Sequence, residues 1–423
     1  MHLTGKILKD SLLKNALFLM MSQVSNLSTG FIFWIIAARF YSASDLGIIS
    51  ALLSAMMLVA SVSNLGFNTS IMLFLPYFRE KSRNIINSCI TVSSIASLFF
   101  SLIFVLGLDI WAVSLEPVLD TYKYIVYFLM ITCASSISIL INISFVAGRR
   151  SSFQTLKDFS FGLAKIFPLP FLAASGSVGI YISWGIGVFL SILLGYFLLP
   201  TVWKGYHPGL AFDPIIKKMA SISAANYFAG IFESLPRLVL PIIIANTIST
   251  EAAGFFYIAM VVAGLMFGIP QAISSSLIAE ASTSGELWVN LRKSITFCAL
   301  LLTPGLLLFI IFGKYILHLF NPVYGEHAYI PLILLSVASI PFSVCTIFTA
   351  VRNSQKRIKS VVFINALTAV VTLAFAYPLI KMFDIRGAAT AFLLANTLSA
   401  AVVILTMNDP KKFIMKMLLK EGN

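Results

Sequence analysis

Charge is what this chain has least of. Only 11% of its 423 residues are Asp, Glu, Lys or Arg, whereas 59% are hydrophobic and the mean hydropathy is +0.95. Soluble domains carry about 25% charged residues, so the composition excludes one. Histidine and cysteine number four each. His2, His207, His318 and His327 are scattered, and Cys89, Cys133, Cys298 and Cys345 lie far apart in apolar runs without CxxC or Cys/His spacing. That distribution excludes a zinc site or a disulfide framework and leaves buried, inert thiols. Neither a metal nor a cofactor is expected. Segments of about ten residues alternating in polarity, the pattern of a membrane barrel, are missing too.

What is present is a series of apolar runs about 20 residues long, the length a helix needs to cross roughly 30 Å of hydrocarbon. They predict an all-α, polytopic membrane protein. Twelve transmembrane helices are expected near 17–38, 46–74, 84–107, 122–147, 155–174, 178–200, 219–246, 252–279, 294–313, 328–350, 359–380 and 387–406. The first run ends at Arg39 and not at a small-residue cleavage site, so it is expected to stay in place as a span.

The net charge of +13 has two readings, a nucleic-acid surface or membrane topology. No aromatic-basic patch accompanies the charge, so no nucleic acid is expected as a partner. Basic residues sit instead in short loops, such as Arg79, Lys81 and Arg83, or Arg149, Arg150 and Lys157. With both termini in the cytoplasm, 22 of the 29 lysines and arginines fall on the cytoplasmic side. Five (Arg39, Lys123, Lys314, Lys381, Arg386) fall opposite, and Lys165 and Arg237 lie within spans. This asymmetry sets the orientation. Trp34, Trp111 and Trp203 lie near the proposed interfaces and are expected as belt anchors.

The longest connection, around 201–218, falls at the middle of the chain and divides it into two six-helix lobes, 1–207 and 208–423. An internal repeat supports this division. SASDLGIISA from Ser42 resembles STEAAGFFYIA from Ser249, with Gly47 and Gly254 207 residues apart. The same shift carries Asn64 onto Gln271. A second echo, FVAGRRSSFQ from Phe145 and FTAVRNSQKR from Phe348, has an offset of 203.

Polar residues inside the spans are the functional candidates, because a charge at the bilayer centre costs about 2.5–3.5 kcal/mol on insertion scales and needs a partner or water. Glu233 and Arg237 are i and i+4 in the seventh span, acid before base, the favourable order for an ion pair. Pro236 between them frees a backbone carbonyl one turn earlier. The pair either pins its helix to a neighbour or lines a wet cavity. Asp158 and Lys165 share a face of the fifth span. Gln23, Asn26 and Gly30 form a stripe on the first, and the 207-residue shift places Asn26 on Glu233 and Gly30 on Arg237. Asn64 and Asn68 of the second span and Gln271, Ser274 and Ser275 of the eighth add polarity. Helix-to-helix hydrogen bonding is the other use for such residues.

The stretch from Phe33 to Pro76 resembles the start of polysaccharide flippases of the Wzx type, within the superfamily of multidrug, oligosaccharidyl-lipid and polysaccharide exporters. Arg39, Gly47, Gly66 and Pro76 carry the resemblance, as does TEAAGFFYIAMVVAGL from Thr250 in the second half; Phe40-Tyr41 departs from the usual Leu-Gly. The resemblance implies two lobes around a central cavity in a bacterial inner (plasma) membrane. It implies a non-enzymatic carrier that turns an undecaprenyl-diphosphate-linked oligosaccharide from the cytoplasmic to the outer leaflet, with a glycan polymerase and a chain-length regulator as partners besides membrane lipid. Arg237 and Lys165 are then the cations for the diphosphate, Glu233 and Asp158 their acidic neighbours, and Gln23, Asn26, Asn64 and Gln271 hydroxyl contacts. Rocking of the lobes would expose the head to either side as Glu233 releases Arg237. An inside-negative potential favours outward movement of an anion by about 2.3 kcal/mol per charge per 100 mV. Two other classes fit less well. A cation-coupled multidrug exporter of the same fold would carry an acid in the first lobe, where Asp158 is the sole substitute for one on helix one. A membrane glycan polymerase or lipid-sugar glycosyltransferase would show a large outer loop or catalytic acids, and the outer segments here are short.

Overall fold

The computed structural model describes residues 11–284 and 287–406. The chain ends, expected on the cytoplasmic side, lie outside those residues. Twelve long helices are present among the described residues, without strands. They are α1 (Ser11–Phe40), α2 (Ala43–Ser63), α3 (Ser82–Leu106), α4 (Tyr122–Ala147), α5 (Ser151–Ile166) and α6 (Gly176–Val202) in the first half. The second half holds α7 (Ile215–Thr247), α8 (Thr250–Ser284), α9 (Leu287–His318), α10 (Tyr329–Ser354), α11 (Ile358–Phe383) and α12 (Ile385–Thr406). Ten helices are long and apolar enough to cross a membrane, so the protein is multi-pass.

Local chemistry fixes where these helices begin and end. At the start of α2, Ser42 and Asp45 form a capping box, the Ser42 side chain accepting from the Asp45 N–H and the Asp45 carboxylate from the Ser42 N–H. The other oxygen of Asp45 accepts from the Ser177 N–H at 2.8 Å, so one carboxylate serves two helix N-termini. The expected second span, 46–74, is two helices: α2 stops at Ser63, Leu65 and Gly66 turn at φ 48° and 79°, and Phe67–Phe74 starts afresh. The expected fifth span, 155–174, is also corrected. Pro168 and Pro170 lack an N–H, so α5 ends at Ile166 and a 3-10 turn, Pro170–Ser175, follows.

The repeat is written into these boundaries. The helix ends Phe40 and Thr247, the helix starts Ala43 and Thr250, and the starts Ser151 and Ile358 are each 207 residues apart. So are both ends of α4 and α10. The chain leaves α4 through Arg149 at φ 55° and α10 through Lys356 at φ 57°, again 207 apart. In both, the N–H after the left-handed residue bonds back five residues, Arg150 to the Phe145 carbonyl and Arg357 to the Arg352 carbonyl, which closes the helix end. This geometry corrects the 203-residue offset of the second echo. Four residues are about one helical turn, so a slip of four keeps apolar positions in phase and looks like a match.

Two compact units result. The described residues through Ile231, with Ser249–Gly254, form the first; Phe232–Ile248 and the described residues from Phe255 onward form the second. The connection at 207/208 lies within the first unit, and α7 and α8 each contribute to both. In the first unit α1 packs on α5, α5 on α6, α6 on α4 and α4 on α3. In the second, α11 packs on α12, α12 on α10 and α10 on α9, the same neighbours one repeat later. Glycines set the closest approach. A Cβ on Gly47 would lie 1.5 Å from the Thr250 carbonyl oxygen, and one on Gly254 would lie 2.2 Å from the Ala43 carbonyl oxygen. The two glycines that mark the repeat therefore meet each other inside the first unit, beside a 2.7 Å hydrogen bond between Ser44 and Thr250.

Three aromatic or basic assignments change. Trp34 and Trp203 are each 3% exposed, and the Trp203 indole donates to the Ser144 carbonyl at 3.1 Å, so both are packing residues and not belt anchors. Trp111 is exposed, as a belt residue would be. Lys157 is not a loop residue: it lies inside α5, buried, with its ammonium on Ser138 of α4. The thiols are free, and Cys89, Cys298 and Cys345 are buried.

Candidate substrate-binding sites

In the first unit, the polar stripe of α1 meets α5 at Asp158. The Asp158 carboxylate is 6% exposed and accepts from Ser22 Oγ at 2.6 Å, Asn26 Nδ2 at 3.3 Å and Asn142 Nδ2 at 2.9 Å. Three neutral donors from α1 and α4 thus replace the water this carboxylate gives up, and charge-assisted bonds of this kind are the strong ones. α1 and α5 run side by side from this point. Thr29 touches Gly162, where a Cβ would lie 2.5 Å from the Thr29 hydroxyl, and Phe33 touches Lys165.

Lys165 sits in the last turn of α5, at 4% exposure. Its ammonium lies 4.9 Å from the ring centre of Phe33 and 4.4 Å from those of Phe161 and Trp184. The rings hold one another edge to face, Phe33 and Phe161 each against Trp184 at 5.6 and 5.2 Å. They form an aromatic box. A desolvated cation gains about 2 kcal/mol or more from a ring face, while losing its hydration costs several. Because Pro168 has no N–H and the Leu169 N–H turns to the Ile166 carbonyl, the Lys165 carbonyl takes its hydrogen bond from Ser183 Oγ instead. Gly187 of α6 lets the Lys165 Cβ come close.

The second unit holds a cleft of about 50 Å³ lined by Glu233 and Arg237 of α7, Thr346 and Thr349 of α10, Asn365 and Thr368 of α11 and Asn396 of α12. Phe232, Pro236, Phe342, Cys345 and Phe392 complete it. That volume holds one or two waters. Glu233 and Arg237 share the cleft but form no ion pair; the ion pair among the described residues is Lys314–Glu326, at 2.8 Å. The expected closed pair is corrected on this point. One turn of α7 separates the two residues, with Glu233 exposed and Arg237 half-buried. Thr368 Oγ1 is taken up by the Ile364 carbonyl and Ser399 Oγ, while the Thr346 and Thr349 hydroxyls donate to carbonyls of their own helices. Their lone pairs are what remain for a guest.

The repeat relates the two places. Adding 207 to Asn26, Asn142 and Asp158 gives Glu233, Thr349 and Asn365, all three of which line the cleft. Helix for helix the same positions are polar, with acid and amide exchanged: the carboxylate is on α5 in the first unit and on α7 in the second. Asn142, Thr349 and Asn365 were not singled out in the sequence; the 207-residue shift applied to Asp158 would have found the last.

The remaining candidates are placed apart from these clusters. Asn64 caps the C-terminus of α2, is 1% exposed and accepts from Ser136 Oγ at 2.8 Å, the geometry of helix-to-helix contact. Gln271 is half-buried midway along α8, Gln23 is exposed on α1, and Arg39 is exposed in the last turn of α1.

No family model matches the chain, and no curated protein sequence matches it. Solved structures do. An inward-facing multidrug resistance MATE family transporter of the MOP superfamily has a TM-score of 0.68 and 14% identity, covering 94% of either chain. An outward-facing structure of such a transporter gives 0.67 and 12%, covering 96% of this chain and 95% of that one. The lipid II flippase MurJ, in an inward closed conformation, gives 0.71 and 12%, covering 95% and 90%. The chain has the fold of these MOP-superfamily transporters over nearly its whole length.

Proposed function

We propose that this protein is a membrane carrier working by alternating access, and that its cargo is an amphiphile with an anionic, hydroxyl-rich head: a lipid-linked oligosaccharide turned toward the outer leaflet. One observation carries the reading of the cargo. Arg237 presents a guanidinium that forms no ion pair, on a cleft whose other polar walls are the Glu233 carboxylate, two amides and threonine hydroxyls. A guanidinium is planar, permanently charged and suited to bidentate contact with phosphate oxygens, while Asn365, Asn396, Glu233 and the threonines suit sugar hydroxyls. The cleft is too small for a sugar ring in this conformation, so it contacts part of the head. Gln23 and Asn26, exposed on α1, Gln271 on α8, and Asp158, Lys165, Arg39 and Asn64 belong to the same proposal as secondary contacts.

A cation-coupled multidrug exporter is the second reading, and the fold comparisons lean toward it, since MATE transporters stand among the most similar structures. Asp158 supports it too, as the buried acid of the first unit. The two readings separate in one experiment. In cells lacking their own lipid-linked-sugar carrier, the wild-type chain should restore surface glycan, and Arg237→Ala, at equal membrane abundance, should lower it at least tenfold. Undiminished glycan with Arg237→Ala removes that residue from the proposal; drug resistance that depends on a sodium or proton gradient, without glycan, replaces the reading by the second.

A further inference from the structure

We propose that Lys165 is a cargo-contacting cation held in reserve: the box of Phe33, Phe161 and Trp184 stores its ammonium, and a phosphoryl group entering beside Gly30 draws it out. This rests on the reading of the cargo as an anion.

Storage is the first part. The ammonium is buried, makes no hydrogen bond or ion pair among the described residues, and has three ring faces as its partners. Ring faces attract a cation but do not replace its lost hydrogen bonds. A phosphoryl oxygen does, through a charge-assisted hydrogen bond, so arrival of an anion shifts the ammonium from the rings to the guest.

Room is the second. A Cβ on Gly30 would meet no atom within 4 Å, although the neighbouring Thr29 is in tight contact with Gly162. Gly30 precedes Phe33 by three residues and Gly162 precedes Lys165 by three. The open space at Gly30 therefore lies within one turn of Phe33, and the tight Thr29–Gly162 contact beside it lies within one turn of Lys165. The backbone need not move: the Lys165 carbonyl is tied to Ser183 and its Cβ is seated on Gly187, so rotation of the four-carbon stem suffices.

The repeat supplies the third part. Gly30 is the counterpart of Arg237, 207 residues earlier. Where the second unit carries a guanidinium on α7, the first has open space on α1 and a stored cation on the adjacent helix. Lys165 at Gly30 would give the first unit the charge that its counterpart already has.

The test uses the full chain in lipid nanodiscs with farnesyl diphosphate as probe and farnesol as control. Binding is followed by titration calorimetry and by indole emission, with Trp184→Phe identifying the share that comes from the box. Expected are a Trp184-dependent emission change with the diphosphate and not with farnesol, and affinity lowered roughly tenfold, about one charge-assisted hydrogen bond, in Lys165→Met. Gly30→Leu fills the landing space, leaves Lys165 in the box, and should abolish the emission change. Diphosphate binding that depends on Arg237 yet is equal in wild type, Lys165→Met and Gly30→Leu, without a Trp184 signal, overturns the stored cation and leaves the anionic cargo standing. An equal response to farnesol overturns it as well. Absence of diphosphate binding to the wild type overturns both.

Discussion

Asp158 is one carboxylate holding three helices together, and its replacement tests how much such a hub contributes. In Asp158→Ala the amides of Asn26 and Asn142 and the Ser22 hydroxyl lose their acceptor. Leaving a buried donor unpaired costs about 1–3 kcal/mol, which applies to Ser22 and in part to half-buried Asn142 but not to exposed Asn26, so this variant is expected to lose about 2–4 kcal/mol, and its thermal transition in detergent should fall below that of Ser22→Ala. Tyr41 offers a check outside the spans. Its hydroxyl donates to the Leu169 carbonyl at 2.7 Å, and burial, with the nearby Asp45 carboxylate, raises its pKa to about 12. A proton held more tightly in the folded state stabilises it fully below pH 10 and is lost as pH rises toward 12. Stability should therefore fall across that window, and Tyr41→Phe should remove this residue's share of the fall while costing about 1–3 kcal/mol at neutral pH.

At the scale of elements, helix crossings and connections carry the predictions. Gly47→Ala would place a methyl group 1.5 Å from a backbone oxygen that cannot rotate away, and should cost upwards of about 3 kcal/mol, seen as loss of monodisperse protein on size exclusion. Gly30→Ala meets nothing and replaces a poor helix former, so it should be neutral or stabilising by up to about 1 kcal/mol. The connections before α6 and α12 share one backbone shape, Gly176 at φ 55°, ψ −143° and Asp384 at φ 58°, ψ −145°. Glycine adopts it freely; other residues there are strained by about 1–3 kcal/mol. Asp384→Gly should accordingly raise the thermal transition, less whatever its bond to the Ile385 N–H at 2.9 Å contributes.

For the whole molecule, the repeat makes a topological prediction. Arg149 and Lys356 close equivalent helix ends, while Gly176 and Asp384 open the helices on the opposite side of the chain's next crossing. Cysteine placed at 149 or 356 should react with a membrane-impermeant maleimide from the cytoplasmic side alone, and at 176 or 384 from the outer side alone. The native thiols at 89, 298 and 345, being buried, should stay unlabelled. Labelling of 149 and 356 from different sides would break the parallel repeat.

The order and number of helices and the membrane setting were legible without coordinates, because helix length, hydrophobicity and loop charge are local properties that a bilayer reads one segment at a time. Asp158, Lys165, Glu233 and Arg237 stand out in the sequence as candidates, since any charge in an apolar run needs a reason. What each charge faces was decided only by packing. Lys165 became a boxed cation because Phe33 and Trp184, 132 and 19 residues away, are brought to it by α1 and α6. Glu233 and Arg237, one turn apart on α7, form no ion pair in the cleft they share with residues of α10, α11 and α12. Spacing along a helix fixes which side chains could meet; the neighbours that fill the space between helices determine which of them do.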